Sequence, residues 1–193
     1  MRFGSVLTLS VLLLLLIRMA SAQPQQRVSL TPTPPLRLPL DAPGVVIVAP
    51  RSGDYPSIAV RLADGLTALT QQRPQIVRDT VDPETLDSGP VIVLGNLMDS
   101  RLARQLYLHS YDFTDYSWPS PGGHVVRTIR DPLGTGAHVA MVGGSDHYGV
   151  AAAVDALLDH VRERGPTLGY LNIEARPMGR GDQRSHRALP RRR

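Results

Sequence analysis

Three consecutive residues, Ser145, Asp146 and His147, are of the types that form a hydrolytic triad: nucleophile, carboxylate and general base. Neighbours in a turn point in different directions and cannot hydrogen-bond in series. Their position favours helix capping by Ser145 or Asp146 instead. Gly143, Gly144 and Gly149 around them invite comparison with a dinucleotide fingerprint. That pattern needs G-x-G-x-x-G after a strand, whereas Asp146 here takes the middle position and would repel a pyrophosphate. Without lysine there is no P-loop either. The five residues Gly143, Gly144, Ser145, Asp146 and Gly149 are therefore read as a structural turn and cap, the glycines supplying backbone angles closed to other residues.

Other candidate chemistry fails on spacing. A hairpin pairing about Leu133 and Gly134 would make His124 and His138 cross-strand neighbours, but no third ligand is spaced to join them and no H-E-x-x-H occurs. Glycoside hydrolysis wants two carboxylates held across a cleft, and Asp112 and Asp115 lie together on a loop, where they read as caps or surface acids. No catalytic residue, metal ligand or cofactor is assigned. What remains is the irregular segment YDFTDYSWPSPGG, whose Tyr111, Phe113, Tyr116 and Trp118 could stack on sugar rings, contact a neighbouring domain, or cover the end of a sheet. Cover or domain contact is the preferred reading.

Composition narrows the classes. The 193 residues allow one ordinary domain with terminal extensions, and a 42% hydrophobic content gives that domain a core. With no cysteine, disulfides, thiolate metal sites and cysteine nucleophiles are excluded together. Every basic side chain among the 21 is arginine, which reads as GC-rich coding bias. Seven of them, but one of the 17 acids, lie from Arg176 onward, so the body carries a small acidic excess despite the formal charge of +4. It has no basic stripe of the kind a nucleic-acid-binding domain presents.

The elements that must position these residues follow from periodicity. Residues 1–22 read as a signal peptide, with an apolar run at Val6 to Ile17 and Ala20-Ser21-Ala22 before the expected cleavage site. The chain is accordingly expected to be secreted or periplasmic, with no membrane segment after cleavage. Residues 23–43 form a proline-rich linker. Val45 to Val48 and Val91 to Leu94 are apolar runs expected of strands buried on both faces, and a weaker strand is expected around Ile76 and Val77. Ile58, Leu62, Leu66 and Leu69 mark a first helix, with Asp54 and Pro56 at its start. A second is expected at about Asp99 to His109, with Leu102, Leu106 and Leu108 inward. His124 to Arg130 and Val139 to Val142 predict a hairpin. Val150, Ala153, Val154, Leu157, Leu158 and Val161 share the apolar face of a third helix. Leu168 to Ile173 is read as one further short strand or an extended exit. The sum is an α/β fold: a single mixed β-sheet with about three packing helices, spanning residues 44–175. Residues 176–193 read as a disordered basic tail or, equally, as an out-of-frame ending that would make the chain a truncated fragment.

Three segments together resemble a known family: VIVLGNLMDSRLARQLY, GGHVVRTIRDP and VAMVGGSDHYGVAAAVDALLDHV, the last with a G-[ST]-D-x-x-G core. Across about Gly44 to Val161 the chain resembles the α-glucuronidase N-terminal or β-hexosaminidase domain-2 type, a small α/β domain found before the catalytic barrel of secreted carbohydrate-active enzymes. The resemblance implies a non-catalytic accessory domain of a polysaccharide-degrading glycoside hydrolase or lyase, with a catalytic barrel or a polysaccharide as partner and no family catalytic residue to carry over. Two alternatives stand beside it: a free carbohydrate-binding module using the aromatic loop 111–118, and a small stand-alone glycoside hydrolase.

Overall fold

The computed structural model describes residues 33–80 and 89–176. The expected signal peptide, residues 23–32 of the linker, most of the loop before Pro90 and the tail from 177 lie outside the described residues. The elements below all belong to the unit that begins at Pro35.

In chain order they are β1 (Leu38–Pro39), β2 (Val46–Ala49), α1 (Tyr55–Thr70), β3 (Gln75–Arg78), β4 (Val91–Gly95), α2 (Arg101–Leu108), β5 (His124–Ile129), β6 (Val139–Gly144), α3 (His147–Arg164), β7 (Thr167–Leu168) and β8 (Asn172–Ala175). Six strands form one mixed sheet in the order β3-β2-β4-β6-β5-β8. The first four are mutually parallel, and β5 runs antiparallel to both β6 and β8. The mixed sheet with three helices is thus as the periodicity predicts, but the sheet is not single: β1 and β7 pair as a separate two-stranded ribbon. Leu38 and Leu40, within the stretch read as linker, are fully buried and join the core beside Leu168. The exit after α3 likewise contains two short strands where one was expected.

Register explains the continuous apolar runs. Ile47, Ile92 and Ala140 align across the three central strands and point to one face, where α1 and α3 cover them. Val48, Val93 and Met141 align one residue on and point to the other face, under Leu102, Ala103 and Leu106 of α2. A strand covered on both sides has no polar face to alternate with, so β4 and β6 are buried at every residue. At Gly65 an added Cβ would lie 2.6 Å from Leu158 Cδ1, so glycine lets α1 and α3 approach closely. Leu108, expected inward, is 72% exposed, because α2 ends there and its buried residues are Leu102, Ala103 and Leu106.

The β2-α1-β3 connection steps to one side of the sheet and the β6-α3-β8 connection to the other, yet both helices lie on the same face. The two connections therefore have opposite hands, and one departs from the strong right-handed preference of such units.

Candidate functional site

Helix α1 leaves β2 toward one face and α2 leaves β4 toward the other. Adjacent parallel strands whose connections diverge open a crevice beyond their carboxyl ends, the usual place for a ligand in an open α/β sheet. A cleft of about 520 Å³ lies there. Its walls are the turns after β2 (Ser52, Gly53, Asp54, with Tyr55), β4 (Asn96, Met98, Asp99) and β6 (Ser145, Asp146, His147), with Tyr116 from the aromatic loop.

The local sequence shapes each wall. Asn96 is 1% exposed, and its Oδ1 accepts the Met98 and Asp99 N–H groups at 2.8 and 3.2 Å, an Asx-type turn that presents both residues to the cleft. Its Nδ2 donates to the Gly144 carbonyl at 2.9 Å and locks the β4 turn to the end of β6. Asp146 caps α3: Oδ1 accepts Gly149 N–H at 2.8 Å, while Oδ2 accepts Gly122 N–H at 2.9 Å. Ser145 is not a cap; its hydroxyl oxygen accepts Ser120 N–H at 3.1 Å, tying the aromatic loop down. Asp54 occupies the N-cap position of α1, but its side chain makes no capping bond and lies 3.5 Å from His147 Nε2. The buried Tyr55 hydroxyl donates to Asp99 Oδ2 at 2.6 Å. Burial, that hydrogen bond, and the charges of Asp99 and Asp146 hold the phenol well above its ordinary pKa, so it stays a proton donor.

The glycines of the turn are needed for a different reason from the one expected. Gly143, Gly144 and Gly149 do not have positive φ. A Cβ on Gly144 would lie 2.4 Å from the Gly149 carbonyl carbon and the Val150 nitrogen, and one on Gly149 would lie 2.2 Å from the Gly123 carbonyl oxygen. The requirement is close backbone approach between β6, α3 and the β5 entry.

The remaining sequence-level candidates disperse. His124 pairs with Gly144 at one end of the hairpin while His138 precedes β6 at the other, so they are not cross-strand neighbours. Asp112 is not a surface acid: it is 1% exposed, accepts Thr114 N–H at 2.9 Å, and lies 3.5 Å from Arg127. Asp115 is a local cap. Burial opposes its charge, but donation from the Ser117 hydroxyl and from the Trp118 and Ser117 N–H groups outweighs this and lowers its pKa. Of the four aromatics, Tyr111, Phe113 and Tyr116 are 41%, 51% and 70% exposed, and Trp118 is half-buried beside a cis peptide to Pro119. Phe113 meets Tyr107 edge-on, ring centroids 6.1 Å apart.

Two contributors escaped sequence reasoning. Asp79, just after β3, accepts from the Ser100 hydroxyl and from the Arg101 and Leu102 N–H groups, so a distant carboxylate holds the start of α2. Tyr55 and Asp99 meet across 44 positions, and no local pattern announces that pair. Among the described residues no group of three or more His, Asp or Glu is arranged to hold a metal, and no helix is long and apolar enough to cross a membrane. No protein-family model matches the chain, and no curated protein does so either.

Proposed function

We propose that the chain is a non-catalytic accessory domain of a secreted polysaccharide-degrading enzyme, of the β-hexosaminidase domain-2 or α-glucuronidase N-terminal type, and that it docks on its catalytic partner through the aromatic stretch. The observation that carries this reading is the exposure of Tyr111, Phe113 and Tyr116 within six consecutive residues. Large apolar side chains gathered on a surface stretch favour contact with another body. The G-S-D-x-x-G turn joining β6 to α3 is one of the segments on which the resemblance rests, and the mixed sheet with three helices among the described residues is of the α/β class it implies.

The test is to sequence the DNA beside the gene, to express the chain with any glycoside hydrolase or lyase barrel found encoded there, and to measure association by sedimentation. Wild type should co-sediment with the barrel, and Phe113→Ala combined with Tyr116→Ala should weaken association at least about tenfold, since aromatic anchors dominate such contacts. Equal association of the double variant would overturn the docking role, and the absence of any barrel frame near the gene would overturn the accessory role.

A second reading rests on Tyr116 alone, which stands 70% exposed and lines the cleft, as a sugar-stacking ring would. Retention on polysaccharide gels that Tyr116→Ala abolishes would favour a carbohydrate-binding module over domain docking.

A further inference from the structure

The parallel pairing of β2 with β3 sets Ala49 beside Arg78, and two residues beyond Ala49 the chain reaches Arg51, so two arginines meet at the carboxyl ends of adjacent strands at one edge of the sheet. Both line a cavity of about 380 Å³ whose other walls include Pro50, Pro56, Ile76 and Val77. Among the described residues no acid lines it. Neither arginine side chain makes a hydrogen bond or an ion pair, whereas Arg61, Arg73, Arg127, Arg162 and Arg176 each meet an acid. The side chains of Arg37, Arg101 and Arg164 also meet no acid, but they do not line this cavity. What sets Arg51 and Arg78 apart is the coincidence of two cations that no acid offsets with an apolar hollow. Ile76 stands 38% exposed in it, and two proline rings, each fixing its backbone φ, stiffen its walls.

We propose that this cavity binds an organic oxyanion, a carboxylate or phosphate carried on a small apolar body. Arg51 and Arg78 take the charged head, and Ile76, Val77 and the two prolines take the body. The volume is within the range of small-molecule sites, whose usual lining is apolar with a few polar groups. The carboxyl ends of parallel strands are also where open α/β sheets receive ligands. A guanidinium offers a carboxylate or a phosphate two parallel N–H bonds, and it keeps its charge at every working pH. A neutral ring would leave both charges unmet, and a cation would be repelled by both. The cavity shares no residue with the cleft beyond β2, β4 and β6, and the proposal does not depend on the accessory-domain reading.

The probes are benzoate, phenyl phosphate and the neutral benzamide, titrated into the full chain while amide resonances are followed by NMR. At least one of the two anions should move the signals of Ala49, Arg51 and Val77 to saturation, with half-saturation at about 5 mM or below, and the tighter of the two identifies the head group. Benzamide should bind at least about fivefold more weakly than that anion. Arg51→Gln combined with Arg78→Gln should weaken the anion about five- to tenfold, whereas Arg164→Gln, which removes an equally unpaired charge outside the cavity, should not. Both cavity arginines are exposed, so the double variant should keep the wild-type melting temperature, and that measurement shows that it is folded. Benzamide binding as tightly as the anions, undiminished affinity in the double variant, an equal loss in Arg164→Gln, or no saturable shift by about 20 mM would each overturn the proposal.

Discussion

Single carboxylates in this molecule hold together segments far apart in sequence. Asp79 satisfies two N–H groups at the start of α2 that no helical carbonyl can reach. Asp79→Ala should therefore cost about 1–3 kcal/mol in chemical unfolding, and Asp79→Asn, which keeps an acceptor, less. His124 carries a different consequence. Burial depresses its pKa, with a smaller opposing influence from Asp155. The unfolded chain then binds the proton more readily than the folded one, so stability falls as pH drops below the ordinary histidine value of 6.5, until the folded pKa is passed. Replacing His124 by Gln should flatten the dependence of the unfolding midpoint on pH across that window, and an unchanged slope would assign the effect elsewhere. Asp115, with its lowered pKa, contributes stability above the unfolded carboxylate range, and that contribution is lost as pH falls through its folded value.

At the scale of elements, apolar spacing was a sound guide where an element is buried. The runs at β2, β4 and β6, the face of α3 and the β5–β6 hairpin were all legible because period and burial agree. Even β3, exposed along most of its length, was found from Ile76 and Val77. The ribbon of β1 and β7 was not legible: two-residue strands have no period, and their pairing joins Leu38 to Leu168 across the whole domain. The site was less readable than the fold. Its turns could be placed, but the Tyr55 to Asp99 bond and the Asp79 cap depend on which loops the sheet order brings together. Packing at the β6–α3 turn yields a sharp expectation. Gly149→Ala would force a Cβ against the Gly123 carbonyl at 2.2 Å, so it should destabilise more than the roughly 1 kcal/mol typical of point changes, even though alanine is the better helix former. Leu157→Ala, in the fully buried face of α3, should cost about 2–5 kcal/mol, whereas Leu108→Ala at the exposed end of α2 should cost within about 0.5 kcal/mol.

Across the described residues as a whole, one face of the sheet carries two helices and the other one, and the turns after β2, β4 and β6 meet in an open cleft lined by Asp54, Asp99 and Asp146 and by the exposed Tyr116. Of the groups at the cleft that could act as acid, base or nucleophile, Ser145 is tied to Ser120 and Asp146 to Gly149 and Gly122, Tyr55 meets Asp99, and His147 lies beside Asp54. The proposed accessory role expects this chain to present surfaces for contact and to cleave no bond by itself. The decisive measurement is chromophore release from a panel of nitrophenyl glycosides incubated with the purified chain alone. Release no faster than in buffer is the outcome expected of an accessory domain; saturable turnover that Asp99→Asn or Asp54→Asn abolishes would show that the cleft is an active site.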